Sequence, residues 1–173
     1  MPTRKRPAAL LYPGMSQTDV LLRAATLEDA ATLARFNAAM AWETEELRLD
    51  PDRLARGVRA VLDDPSRGFY LVALRGGQVV GQLMVTLEWS DWRNGHFWWI
   101  QSVYVEPGSR RAGVFRALYR ETEARALRAP SCCGLRLYVE RENVQAHATY
   151  ESLGMSRTHY HLYEVDFSRR QGA

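Results

Sequence analysis

Two apolar runs, Phe69 to Leu74 and Val79 to Trp89, stand on either side of Gly76-Gly77. A glycine pair between such runs adopts the positive-φ turn that matches the twist of two antiparallel strands. This stretch therefore predicts a hairpin, and with it an antiparallel sheet. A third run, Phe97 to Val105, follows the loop Ser90-Asp91-Trp92-Arg93-Asn94-Gly95 and extends the sheet. Pro107-Gly108 breaks it, and Arg110-Arg111-Ala112-Gly113 leads into a helix from about Val114 to Leu127. Leu135 to Val139 reads as a short buried strand, Asn143 to Leu153 as a short helix, and Thr158 to Phe167 as one more strand.

Upstream of the hairpin, Asp19 to Arg23 predicts a short strand. Thr26 stands three residues before Asp29, which resembles a capping box, and opens a helix to about Met40. Its Ala30, Leu33, Phe36 and Ala39/Met40 keep the helical period. A polar stretch with Glu43, Glu45 and Glu46 follows. Asp50-Pro51, an N-cap with proline at the first helical position, starts a second helix carrying Leu54, Val58 and Val61/Leu62, and Asp63-Asp64-Pro65-Ser66 ends it. The order predicts an α/β fold, a mixed and mostly antiparallel central sheet flanked by helices. At 173 residues the chain has room for one ordinary domain, here residues 18–173. Residues 1–17 lack periodicity and contain Pro2, Pro7, Pro13 and Gly14, so they read as a flexible extension.

The formal charge of +3 comes from that extension. Arg4, Lys5 and Arg6 account for the whole excess, because the other 20 of the 23 basic residues balance 20 acidic ones. A neutral body argues against nucleic-acid binding, which calls for a basic stripe on the folded domain. No run approaches the roughly 18 apolar residues of a membrane helix, and Ala8 to Leu11 is too short for a signal-peptide core. Cys132 and Cys133 are adjacent, a spacing suited neither to a disulfide nor to a metal pair. A cytoplasmic protein without a metal is the expectation. His159 and His161 share one strand face but lack a third ligand.

Two segments carry chemistry. In the first, Val103 to Leu118, a buried strand ends, a tight turn follows, and a helix opens at Gly113. The first amides of a helix lack internal partners and favour anions, so the turn can cradle phosphate, with Arg110 and Arg111 adding charge at its rim. An ordinary strand–helix connection would look the same. It is neither a Walker loop nor a dinucleotide fingerprint. The second segment, Leu137 to Met155, combines a strand, Asn143 at a helix start and Tyr150 seven residues on. Asn143, Ala146 and Tyr150 fall on one helical face.

Together these segments resemble the GNAT family of acetyl-CoA-dependent N-acyltransferases. Arg110 and Gly113 match its Q/R-x-x-G-x-G/A motif, and Asn143, Ala146, Tyr150 and Gly154 match its later N-x-x-A, Tyr and Gly pattern. One position departs: the family's second glycine or alanine is Phe115, whose ring would have to turn into the core. The resemblance spans about Asp19 to Phe167 and implies acetyl-CoA as acyl donor. It implies that the backbone of Val103 and Val105 pairs with the pantetheine arm. The amides of Arg111, Ala112, Gly113, Val114, Phe115 and Arg116 would hold the pyrophosphate, and Asn143 would bond the pantetheine. Tyr150 would protonate the leaving thiolate, and the amine would attack directly in a ternary complex.

Direct attack needs a base. Glu88, at a strand end, is the first choice; Asp91, Glu43 and Glu46 are alternatives in regions that border the acceptor cleft in the family. Trp89, Trp92, Trp98 and Trp99 place four of the five tryptophans within eleven residues. Alternation sends Trp98 and Trp99 to opposite faces, one of them into the core. The remainder, Trp92 and Trp99 among them, would suit a cationic small-molecule or peptide amine through cation–π contact, or would fill the sheet or a homodimer interface. A non-catalytic acyl-CoA-binding module on the same fold is the alternative to an enzyme.

Overall fold

The computed structural model describes residues 20–167. They divide into two compact units, one through Tyr138 and one from Val139. The first unit holds β1 (Leu21–Ala24), α1 (Ala30–Glu45), α2 (Pro51–Asp63), β2 (Phe69–Arg75), β3 (Gln78–Ser90), β4 (Gly95–Val105), α3 (Val114–Arg128) and β5 (Cys132–Leu137). The second holds α4 (Val144–Ser152). The expected extension, residues 1–17, lies outside the described residues.

The five strands form one sheet in the order β1-β2-β3-β4-β5. Three pairings are antiparallel, and only β4 with β5 is parallel. The predicted hairpin is present, with Gly76 and Gly77 at φ 56° and 80° and Arg75 opposite Gln78. α1 and α2 cover one face, where Ala30, Leu33, Val58, Tyr70 and Val72 form a buried core. α3 covers the other. It lies so close to β3 that a Cβ on Gly81 would stand 2.9 Å from Val114 Cγ1.

The caps explain where the first helices start. Asp29 accepts the Thr26 N–H at 2.8 Å and both ends of the Arg23 guanidinium at 2.6 and 2.8 Å. Burial alone would raise the Asp29 pKa, but these hydrogen bonds outweigh it and hold it lowered. Asp50 accepts the Arg53 N–H at 2.6 Å, with Pro51 opening α2 as its fixed φ favours.

Three expectations shift. α1 runs on to Glu45, so Glu43 belongs to the helix and not to a polar loop. β5 begins at Cys132, three residues before the predicted start, because Gly134 is taken into the ladder opposite Phe97. No strand forms between Thr158 and Phe167: alternation along a segment specifies faces, but a strand also requires a ladder partner. Tyr160, Leu162, Tyr163, Val165 and Phe167 are exposed there.

Candidate active site

On one side β4 stays paired with β3 from Gly95 to Val105. On the other it pairs with β5 only from His96 to Ile100, where Leu137 is the last partner. Between these limits β4 carries a bulge. Its register shifts opposite Gln82 and Met84, and Ser102 takes a φ of 48°. From Gln101 to Val105 the outer edge of β4 therefore has no strand beside it among the described residues. Such an edge offers backbone donors and acceptors to an extended amide-bearing chain.

Buried polar residues hold the bulge. Gln82, fully enclosed, donates through Nε2 to the Ser102 carbonyl at 3.1 Å and to Asn37 Oδ1 at 2.5 Å. Asn37 Nδ2 in turn donates to the Tyr70 hydroxyl at 3.2 Å. Gln82 Oε1 is buried without a partner among the described residues, so it is through the Nε2 donors that the network holds the bulge.

A 3₁₀ turn, Pro107–Ser109, links the open edge to the glycine turn. Arg111 and Gly113 have φ of 61° and 74°, flanking Ala112. Alternating backbone of this kind points successive amides into one concavity, and Gly113 at the N-cap adopts its angle without the strain that a Cβ would bring. The first amides of α3 lack an acceptor one turn back and carry the positive end of its dipole. These groups fit a pyrophosphate. The Phe115 ring does not turn wholly into the core: it is half-buried, 6.3 Å from the ring of Tyr119 one turn on.

Arg110 is exposed but folds back on its own chain. Its Nε donates to the Val105 carbonyl at 2.8 Å and its Nη2 to Glu43 Oε2 at 2.6 Å, while the Tyr104 hydroxyl donates to Glu43 Oε1 at 2.9 Å. The hydrogen bond from Arg110 outweighs burial and holds the Glu43 carboxyl below its usual range.

Where β4 and β5 part, a cluster of side chains occupies the sheet face. Glu88 on β3, Phe97 and Trp99 on β4 and Arg136 on β5 share that face by register. Arg136 Nη1 donates to both Glu88 oxygens, at 2.9 and 3.1 Å, and the Trp99 indole N–H donates to Glu88 Oε2. The Arg136 guanidinium lies 3.6 Å from the Phe97 ring centroid, and Trp99 stacks on Tyr138 at 4.4 Å. Phe97 in turn rests on Gly134, where a Cβ would come within 2.7 Å of its Cε1.

The tryptophans are not one cluster. Trp98 packs edge-on against Phe69, on the face opposite Trp99, as alternation predicts. Trp89 lies against His96. Trp92, 87% exposed, sits with Asp91 in the β3–β4 turn, where Asp91 Oδ1 accepts the Trp92 N–H at 2.9 Å. Glu46 ends α1 in a left-handed conformation and is exposed. Of the named acceptor residues, the structure thus brings Trp99 and Glu88 together. It pairs Glu43 with Arg110 and leaves Glu46, Asp91 and Trp92 in solvent-facing turns. Sequence reasoning missed Arg136 and Tyr104. An arginine between two leucines in a buried strand was the one available sign, since such a charge needs a partner.

In the second unit, Asn143 caps α4 by accepting the Ala146 N–H through Oδ1 at 3.0 Å. At the other end the Met155 N–H reaches the Tyr150 carbonyl at 3.1 Å and the Gly154 N–H reaches that of Glu151 at 3.0 Å, with Gly154 at φ 91°. This is a Schellman motif, and it accounts for the glycine in the pattern. Tyr150 is half-buried, and burial pushes its phenol pKa up, so it keeps its proton at neutral pH. Among the described residues no His, Cys, Asp and Glu group could hold a metal ion, and no helix is long and apolar enough to cross a membrane.

Comparison with known proteins agrees with this geometry. No curated protein matches the chain. A crystal structure of a "possible acetyltransferase" from Clostridium difficile 630 is 46% identical, with a TM-score of 0.80 over 85% of this chain and 97% of that one. A predicted acetyltransferase from Clostridium acetobutylicum, crystallised with acetyl-CoA, shares the fold at 16% identity and TM-score 0.70, covering 87% of this chain and 97% of that one. So does ribosomal-protein-alanine N-acetyltransferase from Brucella melitensis biovar Abortus 2308, at 20% identity and TM-score 0.69, covering 86% and 99%. The model of the Acetyltransferase (GNAT) family matches residues 27–155. With three quarters of its length inside that match, the chain belongs to the GNAT family of acetyltransferases, enzymes that use acetyl-CoA as acyl donor.

Proposed function

We propose that this enzyme, acting in the cytoplasm, moves the acetyl group of acetyl-CoA to a primary amine by direct attack in a ternary complex. The observation that carries the reading is the β4 edge left unpaired among the described residues and followed, after one 3₁₀ turn, by the nested turn at the start of α3. The backbone of Val103 and Val105 takes the pantetheine amides in the manner of a strand. The amides from Arg111 through Arg116 hold the pyrophosphate, with Arg110 exchanging Glu43 for the cosubstrate's charge, and Asn143 bonds the pantetheine.

Glu88 receives the ammonium proton of the acceptor, directly or through water, which frees the nitrogen lone pair to form the new amide bond. Tyr150 gives its proton to the thiolate that leaves as the thioester bond breaks. Two protons leave the nitrogen: the first enters Glu88, and the second, shed as the tetrahedral intermediate collapses to the amide, returns to the Tyr150 phenolate that has protonated the thiolate, so solvent takes up only the proton on Glu88. The two cysteines take no part; burial raises the pKa of Cys132, which disfavours its thiolate. Trp99 and Phe97 floor the acceptor side, while Glu46, Asp91 and Trp92 meet the acceptor only at its outer margin.

The test is thermal shift followed by thiol release. Acetyl-CoA should raise the melting temperature, by about 2.7 kcal/mol of stabilisation at a hundredfold excess over its Kd, and NAD and ATP much less. An amine panel with acetyl-CoA should then release free thiol. No shift with any acyl-CoA at millimolar concentration contradicts the reading, and a shift without turnover of any amine indicates a binding module instead.

A further inference from the structure

Arg136 is more than a partner for Glu88. Among the described residues, only its Nη1 is engaged, by the two oxygens of Glu88. Its plane is set from behind by Phe97 at 3.6 Å, with Trp99 at 5.8 Å to one side. The Phe97 ring is itself seated on Gly134. Nε and Nη2 have no protein partner among the described residues, and the side chain is 34% exposed. A guanidinium held rigid on one side and open along its Nε/Nη2 edge presents two parallel donors, the geometry that a carboxylate fits in bidentate fashion.

The same cluster answers what a carboxylate would bring with it. Glu88 is 43% exposed, and its charge is balanced by Arg136, so the floor as a whole is neutral. A singly charged ammonium gains little net attraction from a neutral pair. A ligand carrying both charges gains from each end, ammonium on Glu88 and carboxylate on the free edge of Arg136. The cluster stands where β4 and β5 part, with Trp99 opposite Arg136 one pair before the last. That is where the reacting carbonyl must lie if the donor follows the open edge, so the inference rests on the acetyl-transfer reading above.

We infer that the acceptor is a small amino carboxylate, an amine bearing a carboxylate a few bonds away, and that Arg136 is the residue that selects it. The experiment measures thiol release with acetyl-CoA over matched pairs, each amino acid beside its carboxamide and its decarboxylated amine. In the wild type the carboxylated member should be favoured about 10²-fold or more in kcat/KM, since the amide leaves the Arg136 edge without its anionic partner. Arg136→Gln should bring the pair to within about fivefold, by raising KM for the acid alone, and Arg136→Lys should restore only part, because an ammonium lacks the fork. Acetyl-CoA thermal shift of each variant reports folding and donor binding separately. Equal rates for acid and amide in the wild type would overturn the inference, as would a preference that survives Arg136→Gln. Turnover of no amino carboxylate in the presence of a normal acetyl-CoA shift would also overturn it, while leaving the family's donor chemistry intact. Failure of acetyl-CoA to bind at all would instead remove the reading on which it rests.

Discussion

Along β4 the protein changes its building material. From Gln101 to Arg116 the groups available for recognition are backbone: a strand edge unpaired among the described residues, three residues of positive φ (Ser102, Arg111 and Gly113) and the first amides of α3. Around Glu88 they are side chains, drawn from β3, β4 and β5, with Glu88 and Arg136 48 residues apart in sequence. A backbone site recognises what every donor of its class shares, an amide chain and a pyrophosphate, and it tolerates side-chain change so long as φ and ψ are kept. A side-chain site discriminates, and a single substitution can retune it. Conformational changes should therefore damage the donor half, and changes of functional group the acceptor and catalytic half.

The largest expected effect falls on chemistry. Tyr150→Phe removes one oxygen, and loss of a general acid costs typically about 10²–10⁴-fold in turnover. Acetyl-CoA affinity should hardly move. Burial pushes the phenol pKa up from its ordinary value, so the acid form persists through neutral and mildly alkaline pH. Wild-type turnover should accordingly show no loss of this acid across neutral and mildly alkaline pH. Unchanged turnover in Tyr150→Phe, measured where chemistry limits the rate, would refute the role.

Next comes Glu88→Gln, which keeps the shape and removes the proposed base. Its deficit should be deepest at low pH, about 10²-fold, where few amines are already neutral, and should shrink as pH rises. Should the variant match the wild type across pH while Asp91→Asn or Glu46→Gln fails, the base lies elsewhere. A smaller effect is expected from Gly134→Ala, which leaves every functional group in place. The new Cβ would meet Phe97 Cε1 at 2.7 Å and tilt the platform under Arg136. KM for the acceptor should rise roughly fivefold, with the acetyl-CoA shift unchanged; equal movement of both would mean that the two halves are not separable. Smallest is Glu43→Gln. Releasing Arg110 from its ion pair should tighten acetyl-CoA roughly two- to fivefold, as expected of a half-exposed pair worth under about 1 kcal/mol, and titration calorimetry can read that. Weaker binding would mean that the pair instead holds Arg110 ready for the phosphates.

The same contrast explains what was legible in the sequence. Backbone features announce themselves locally. Gly76-Gly77 marked the hairpin, Asp50-Pro51 the start of α2, and Gly113 the start of α3, because each is a conformational requirement met by neighbours. Alternation placed Trp98 and Trp99 on opposite faces for the same reason. The side-chain pairings were not legible. Whether Glu88 is a free base or the partner of Arg136 depends on the β3–β4 and β4–β5 registers, and the pairing of Glu43 with Arg110 on how α1 lies over the sheet. Neither is encoded near the residues concerned. The strand read at Thr158–Phe167 failed in a similar way: alternation set its faces, but its partner had to come from elsewhere.

The central claim, that backbone and not side-chain charge makes the donor site, is tested most directly by titrating acetyl-CoA calorimetrically into three proteins: the wild type, the Arg110→Ala/Arg111→Ala double variant and Gly113→Glu. The wild type should bind. The double variant should bind within about tenfold of it, because exposed charges add little to a nest of amides. Gly113→Glu should show no binding, since it sets a side chain and a negative charge in the concavity and strains a φ of 74°. Binding that survives in Gly113→Glu but is lost with the two arginines would contradict the account.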